Sequence, residues 1–328
     1  MIVVILEGSR SNISKMQSKF FNDGNYNKIT VNQIFEMKKK KEKVAIITAY
    51  DYSSALIYDR AGVDGVLVGD SAAMVMLGYD NTNLIGMREM LVFCGAVSRA
   101  VKRALIIGDM PFGSYQSSHF KAVHNAVLFV RAGCDAVKIE GGAEVAPIIR
   151  SIVGAGIPVM GHIGFMPQTS RMWNNYKLHG KTTESALLLI EEAKELERAG
   201  AFGIVLEMVT DEVAALISQN LLIPTIGIGS GLNCDGQVLV SHDLLGMQED
   251  VQLKFVNRYA RLSEIIFGAV SLYTKDVKDK NFPQDTNCFH MNKDEFAKVL
   301  EKLNKEKKLQ GKLINKKNYG TLRRRKRR

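Results

Sequence analysis

Five ionisable residues in this 328-residue chain stand at the ends of short apolar runs. They are Asp70 in "GVLVGD", Asp109 in "LIIGDM", Glu140 in "AVKIEG", His162 in "PVMGHI" and Glu207 in "GIVLEM". Carboxylates gathered at one mouth repel one another and need a counter-ion, and an all-oxygen ligand set favours a hard cation such as Mg2+ over zinc. Lys138 precedes Glu140 by two positions, so on a strand the two side chains point to the same side. Taken singly, an acid at a strand end also serves to cap the next helix, and a histidine also sits in cores with its hydrogen bonds satisfied. The weight lies in the set.

The elements that must position this set are marked by a repeat. "RAGVDGVLVGD" (60 to 70), "RAGCDAVKIEGG" (131 to 142) and "RAGAFGIVLEM" (198 to 208) each lead from Arg-Ala-Gly through an apolar run to an acid. Gly62, Gly133 and Gly200 follow helix-compatible stretches, where glycine closes a helix in the left-handed conformation at little steric cost. The runs that follow lack polar alternation, as strands covered on both faces do. Before the third copy, Ala186, Ile190, Ala193, Leu196 and Gly200 form one helical stripe. Thr30 and Gln33 form a capping box that starts the first helix.

Similar runs occur at 44–50, 65–70, 105–110, 136–141, 158–163, 203–208, 224–229 and 237–243. Eight strands with helices between them predict an α/β protein with a (β/α)8 TIM-type barrel, a doubly wound open sheet being the alternative. The eighth strand follows the seventh at a distance short for a full helix. In a barrel the carboxyl ends of the strands build the active site, which is where all five groups fall. "GIGSG" (227 to 231) and the nearby "CDGQ" suit either a tight turn or a phosphate cradle, and neither makes a GxGxxG or a P-loop.

Composition, 46% hydrophobic and 24% charged, fits a globular chain able to bury a large core. No apolar run reaches the roughly 18 to 20 residues of a membrane helix, and "MIVVIL" is poorly flanked for a signal peptide, so a cytoplasmic protein is expected. Cys94, Cys134, Cys234 and Cys288 are widely spaced and read as reduced thiols. The net charge of +10 is uneven: residues 301–328 hold 13 Lys or Arg and 2 acids, a net +11, which leaves 10 − 11 = −1 for the rest. The expected organisation is an unpatterned N-terminal extension (1–28), a single catalytic barrel (29–290) and a disordered basic C-terminal tail (291–328). Residues 301–328 touch RNA, DNA or acidic surfaces weakly at most, since only Tyr319 among them offers a stacking ring.

Several blocks in order, "ITAYDYSSA", "LVGDSAAMVMLGYDNT", "GDMPFGSYQ", "AVKIEGG", "PVMGHIGFMPQ", "YKLHGK", "IVLEMV" and "PTIGIGSGLNCDGQVLVSHDLLG", resemble the ketopantoate hydroxymethyltransferase family. The resemblance runs from about Ile29 to Phe289. It implies a barrel, Mg2+, 5,10-methylenetetrahydrofolate as co-substrate and a homo-oligomer, a decamer of two pentameric rings in the family. Position by position, it implies Asp70 and Asp109 as metal-site aspartates, with Glu140 completing the acidic set. It places Ser71 and Lys138 on the carboxylate of the oxo acid, His162 near it, and Glu207 as general base. The reaction implied is hydroxymethyl transfer to 3-methyl-2-oxobutanoate through a Mg-stabilised enolate. The product is 2-dehydropantoate, or ketopantoate, on the way to pantothenate and coenzyme A.

Four positions depart from the family's pattern: Ala73 where glycine is common, Asn174 and Asn175 where a Gly-Gly pair is usual, and Asn287 where histidine is common. A Mg-dependent carbon-carbon lyase of the phosphoenolpyruvate mutase and isocitrate lyase type is the alternative enzyme. "YKLHGK" and the lack of a catalytic-cysteine motif weigh against it. A non-catalytic nucleic-acid-binding protein is the third reading, and it would rest on residues 301–328 alone.

Overall fold

The computed structural model describes residues 27–169, 177–248 and 253–325, with side chains through residue 309. The N-terminal extension up to residue 26, together with Asn174 and Asn175, lies outside the described residues. Eight parallel strands close into a barrel in sequence order: β1 Val44–Thr48, β2 Gly65–Val68, β3 Leu105–Asp109, β4 Ala136–Glu140, β5 Val159–Gly164, β6 Gly203–Glu207, β7 Thr225–Ile228 and β8 Gly236–Leu239. This is the expected (β/α)8 architecture, and β8 pairing with β1 excludes the open sheet.

Helix α1 (Val31–Lys39) precedes the barrel, started by the expected Thr30 and Gln33 capping box. The helices among and after the strands are α2 (Tyr52–Arg60), α3 (Ala72–Val75), α4 (Met87–Ala100), α5 (His119–Arg131), α6 (Ala146–Gly154), α7 (Thr183–Arg198), α8 (Asp211–Asn220) and α9 (Ser241–Leu244). The three repeat glycines end α2, α5 and α7 as expected. Gly62, Gly133 and Gly200 have φ of 90°, 100° and 95°, a region costly for residues with a Cβ.

Side-chain alternation divides two cores. Val66, Val68, Val137, Ile139, Ile204 and Leu206 face outward and pack under the helices. Ile46, Leu67, Leu105, Ile107, Met160, Val205, Ile226 and Val238 face inward, and Ile34 of α1 joins them at the amino end. The barrel therefore has an apolar floor, and only the top layer of inward positions carries charge. Buried Asp59 is purely structural: its carboxylate accepts the backbone N–H groups of Lys102, Arg103 and Ala104 and pins the chain ahead of β3.

The eighth strand is shorter than the run 237–243. It ends at Leu239, because Ser241 N–H donates to Thr48 Oγ1 at 2.9 Å and the chain turns into α9. Residues from Glu264 form a second compact unit. Its helix α10 (Leu262–Lys278, which begins two residues earlier) has no buried residue, and it presents Ile265, Phe267, Val270, Leu272 and Tyr273 to solvent.

The basic tail carries helix α11 (Lys293–Arg325), exposed at every described side chain. Its first half is rich in helix formers, with Glu295–Lys298 and Glu301–Lys305 ion pairs one turn apart. No helix among the described residues is long and apolar enough to cross a membrane. The four cysteines are free thiols.

Candidate active site

Register sets the charged groups side by side. Asp109 is the Cα partner of Lys138 across β3 and β4, and Glu140 is the partner of His162 across β4 and β5. Lys138 Nζ lies 2.8 Å from Asp109 Oδ1 and 3.6 Å from Glu140 Oε1. His162 Nδ1 lies 3.3 Å from Glu140 Oε1, and its Nε2 lies 3.3 Å from Glu207 Oε2. Asp70, just beyond β2, donates its backbone N–H to Asp109 Oδ2 at 3.2 Å. Ser71 follows, its Oγ 2.8 Å from Tyr50 Oη. All seven residues singled out from sequence thus line one cavity of about 350 Å³ at the carboxyl end of the barrel.

Burial and mutual repulsion govern the electrostatics. Burial, reinforced by Asp109 and Glu140, raises the Asp70 carboxyl well above the usual range. Burial also raises Asp109, against the opposing pull of Lys138. It works against ionising Glu140 too, but there Lys138 and His162 outweigh it and hold the carboxyl low. Burial and Lys138 oppose charging His162, yet Glu140 and Glu207 on its two nitrogens raise it to about 9. Both ring nitrogens thus lie within 3.3 Å of a carboxylate, an arrangement that favours the protonated ring. Lys138 Nζ also approaches Nδ1 to 3.3 Å. Nδ1 thus stands between the ammonium and Glu140 Oε1, 3.3 Å from each, and the ring tautomer decides which of the two it engages.

Four carboxylates face two cations, so negative charge remains in excess. Asp109 Oδ1 and Glu140 Oε1 are buried without a hydrogen bond of good geometry, the 2.8 Å ion pair to Asp109 notwithstanding. Such orphaned oxygens fit a further hard cation. Among the described residues no three His, Cys, Asp or Glu side chains converge as a finished ligand set. The cation now between the acids is the Lys138 ammonium.

Glu207 is placed by its neighbours' backbones. Gly164, the last residue of β5, has φ 94°, and a Cβ there would fall 2.3 Å from the Glu207 carbonyl oxygen. Only glycine lets the two strand ends close to the bond from Phe165 N–H to Glu207 O, 2.8 Å long. Beyond Glu207, Ser230 Oγ accepts from Val209 N–H at 3.1 Å and donates to Leu206 O at 2.7 Å. The "GIGSG" segment thus ties β7 to β6, which is the turn reading of that stretch.

The side at β7 and β8 is formed by Ile228, Val238, Val240 and Leu253, with Asp243 and Gln248 as its polar members. Sequence reasoning did not single out Gln168 and Tyr115, both buried and bonded to the acid set. Gln168 lay inside the quoted block "PVMGHIGFMPQ", where nothing local distinguishes its amide from a loop residue's. Of the departures from the family's pattern, Ala73 is fully buried in the outer core and does not line the cavity. Asn287 is exposed in a 3-10 turn and accepts from Gln284 N–H.

A closed (β/α)8 barrel with acids, one lysine and one histidine converging at its carboxyl end defines an enzyme acting on a small polar molecule. Comparison with known proteins narrows this class. A family profile described as ketopantoate hydroxymethyltransferase matches residues 28–285. A 3-methyl-2-oxobutanoate hydroxymethyltransferase of Nitrosopumilus maritimus is 52% identical over 274 residues, covering 84% of this chain and 98% of its own. A second, from Carboxydothermus hydrogenoformans, is 50% identical over 277 residues, covering 84% and 99%. The chain belongs to the ketopantoate hydroxymethyltransferase family and is a transferase.

Solved structures show the fold at much lower identity. Phosphonopyruvate hydrolase, solved in complex with oxalate and Mg++, has TM-score 0.54 at 11% identity, covering 86% of this chain and 97% of its own. For 2,3-dimethylmalate lyase, a member of the PEP mutase/isocitrate lyase superfamily, the values are 0.51, 15%, 86% and 98%. The lyase alternative shares the barrel. The 50% relatives carry the transferase function.

Proposed function

We propose that this transferase moves the one-carbon unit of 5,10-methylenetetrahydrofolate onto 3-methyl-2-oxobutanoate, with water supplying the hydroxyl, to give 2-dehydropantoate and tetrahydrofolate. The observation that carries the reading is the convergence of Asp70, Asp109, Lys138, Glu140, His162 and Glu207 on one cavity. Asp70 and Asp109, with Glu140, would hold Mg2+, to which the two orphaned buried oxygens suit the site. Bound there, Mg2+ supplies charge stabilisation for the enolate oxygen of the oxo acid.

The protein's own groups do the rest. Glu207, at the last position of β6, takes the proton from C3 of the oxo acid. The imidazolium of His162, 3.3 Å away, keeps that carboxylate aimed into the cavity. Water releases the one-carbon unit from its two folate nitrogens as formaldehyde, which leaves tetrahydrofolate; C3 bonds to that carbon while the C=O becomes an alkoxide, which takes the proton held by Glu207 to give the hydroxymethyl group. Lys138 anchors Asp109 and Glu140 and offers its remaining N–H to the substrate carboxylate, next to the Ser71 hydroxyl. The apolar wall receives the folate, whose fused ring needs a flat, dry surface.

We also infer self-assembly into a homo-oligomer, supported by the uncovered apolar side chains of α10. Work in the cytoplasm is supported by the four free thiols. To test the activity, the purified protein is given Mg2+, the oxo acid and 5,10-methylenetetrahydrofolate, and 2-dehydropantoate is followed by mass spectrometry. Product that depends on both co-substrate and Mg2+ is expected. Turnover unaffected by chelator, or absent with every component present, contradicts the reading.

A further inference from the structure

Each of the three acids has one carboxylate oxygen taken by a protein N–H. Asp109 Oδ2 accepts from Asp70 N–H at 3.2 Å. The other two are held by a single residue: Gln168 donates its side-chain Nε2 to Asp70 Oδ2 at 2.9 Å and its backbone N–H to Glu140 Oε2 at 3.1 Å. Gln168 has no exposed surface.

Its amide has only one workable orientation. Nε2 also donates to Met110 O at 3.1 Å, a carbonyl that can only accept, so the NH2 must face it and Asp70. Oε1 then faces Tyr115 Oη at 2.8 Å, and that hydroxyl accepts from Glu140 N–H at 3.1 Å and has Gln168 Oε1 and Glu140 O, at 3.0 Å, as acceptors for its one proton. Tyr115 is itself buried, and burial holds its hydroxyl in the protonated, donating form. A chain of hydrogen bonds thus runs from Glu140 N–H through Tyr115 and Gln168 to Asp70.

We propose that Gln168 is a positioning residue that decides which oxygen of Asp70 and of Glu140 faces the cavity, with Tyr115 locking its amide. By holding Oδ2 of Asp70 and Oε2 of Glu140, it leaves Oδ1 and Oε1 for a cation, for Lys138 and for His162. The orphaned Glu140 Oε1 is the counterpart of the oxygen Gln168 secures. Without the amide, Asp70 is free to rotate both oxygens among competing partners, and a pre-aimed site becomes an ensemble. This role rests on the metal reading only where cation affinity is concerned. Orientation of the carboxylates does not depend on it.

The test uses Gln168→Met, which keeps volume and the backbone N–H to Glu140, and Tyr115→Phe, which removes only the lock. Mn2+ affinity is read by electron paramagnetic resonance, and crystal structures of wild type and variants are determined without added metal. Expected is an affinity loss of about 10- to 100-fold for Gln168→Met, a smaller loss of the same sign for Tyr115→Phe, and an Asp70 carboxylate turned from its wild-type orientation in the methionine variant. Undiminished Mn2+ affinity with Asp70 unmoved overturns the proposal. If wild-type protein takes up no Mn2+, the metal reading falls, and the crystal structures alone decide Gln168: Asp70 turned supports it and Asp70 unmoved overturns it. If Gln168→Met fails to fold, Tyr115→Phe carries the same two readouts.

Discussion

The two walls of the cavity are built on opposite principles. On the β2 to β6 side, Asp70, Asp109, Lys138, Glu140 and His162 are each under 6% exposed, and protein partners fix their orientation. On the β7, β8 and β1 side, Val240 and Ile228 are half-buried and the surface is mostly apolar. The first wall must hold charge in place, because every buried ion costs several kcal/mol unless its partners are pre-aimed. The second need only match a shape. Under the proposed function, the first wall would carry out proton chemistry on the oxo acid while the second received the folate ring.

The sharpest way to break this contrast is to remove the cation of the first wall. Lys138→Met leaves Asp109 and Glu140 buried without their ammonium, and a loss of about 3–5 kcal/mol in urea-unfolding stability is expected. A variant as stable as wild type would mean that the acids are already neutralised by other means. Next is Gly164→Ala: its Cβ collides with the Glu207 carbonyl at a φ that alanine tolerates poorly. A stability loss of about 1–3 kcal/mol is expected. A fall in kcat with little change in the KM of the oxo acid should accompany it, and unchanged kinetics would detach β5 from the placement of Glu207.

The apolar wall should respond in another currency. Val240→Ala removes two methyl groups worth roughly 0.8 kcal/mol each at most, so KM for the folate should rise about tenfold or less, with deuterium exchange at C3 of the oxo acid unchanged. Exchange that falls instead would erase the division between the walls.

The smallest effect is expected outside the cavity, at Glu192, half-buried against Gly142. Burial, with Glu144 adding, pushes its carboxyl up to about 7 from an ordinary 4.5. A raised acid binds its proton more tightly in the folded state. Its contribution is therefore fully present below pH 4.5 and lost as pH rises through 7. Glu192→Gln should flatten that decline and gain about 1 kcal/mol above pH 7 after allowing for solvent screening. Thermal melts at pH 4.5 and 8 check it, and equal gains at both would remove titration as the cause.

Much of the first wall was legible in the sequence, because its rules are local. A strand's alternation put Lys138 and Glu140 on one side, and a strand-end position put Asp109 and Glu207 at the rim. The repeat glycines announced the helix ends. Gln168 and Tyr115 were not legible, since their role depends on which carboxylates a folded loop approaches, and no spacing rule encodes that. The length of β8 was overestimated for a similar reason, because the Ser241 bond to Thr48, 193 residues earlier, ends it.

The central claim is that Glu207 removes the C3 proton of the oxo acid while the opposite wall takes no part in that step. Protein, Mg2+ and 3-methyl-2-oxobutanoate in deuterated water, followed by NMR, test it most directly with Glu207→Gln alongside. The account predicts steady loss of the C3 proton signal in wild type without any folate. In the variant the rate should be about 10²- to 10⁴-fold lower at unchanged thermal stability. Exchange as fast in Glu207→Gln as in wild type would contradict it and move the base to another residue of the cavity.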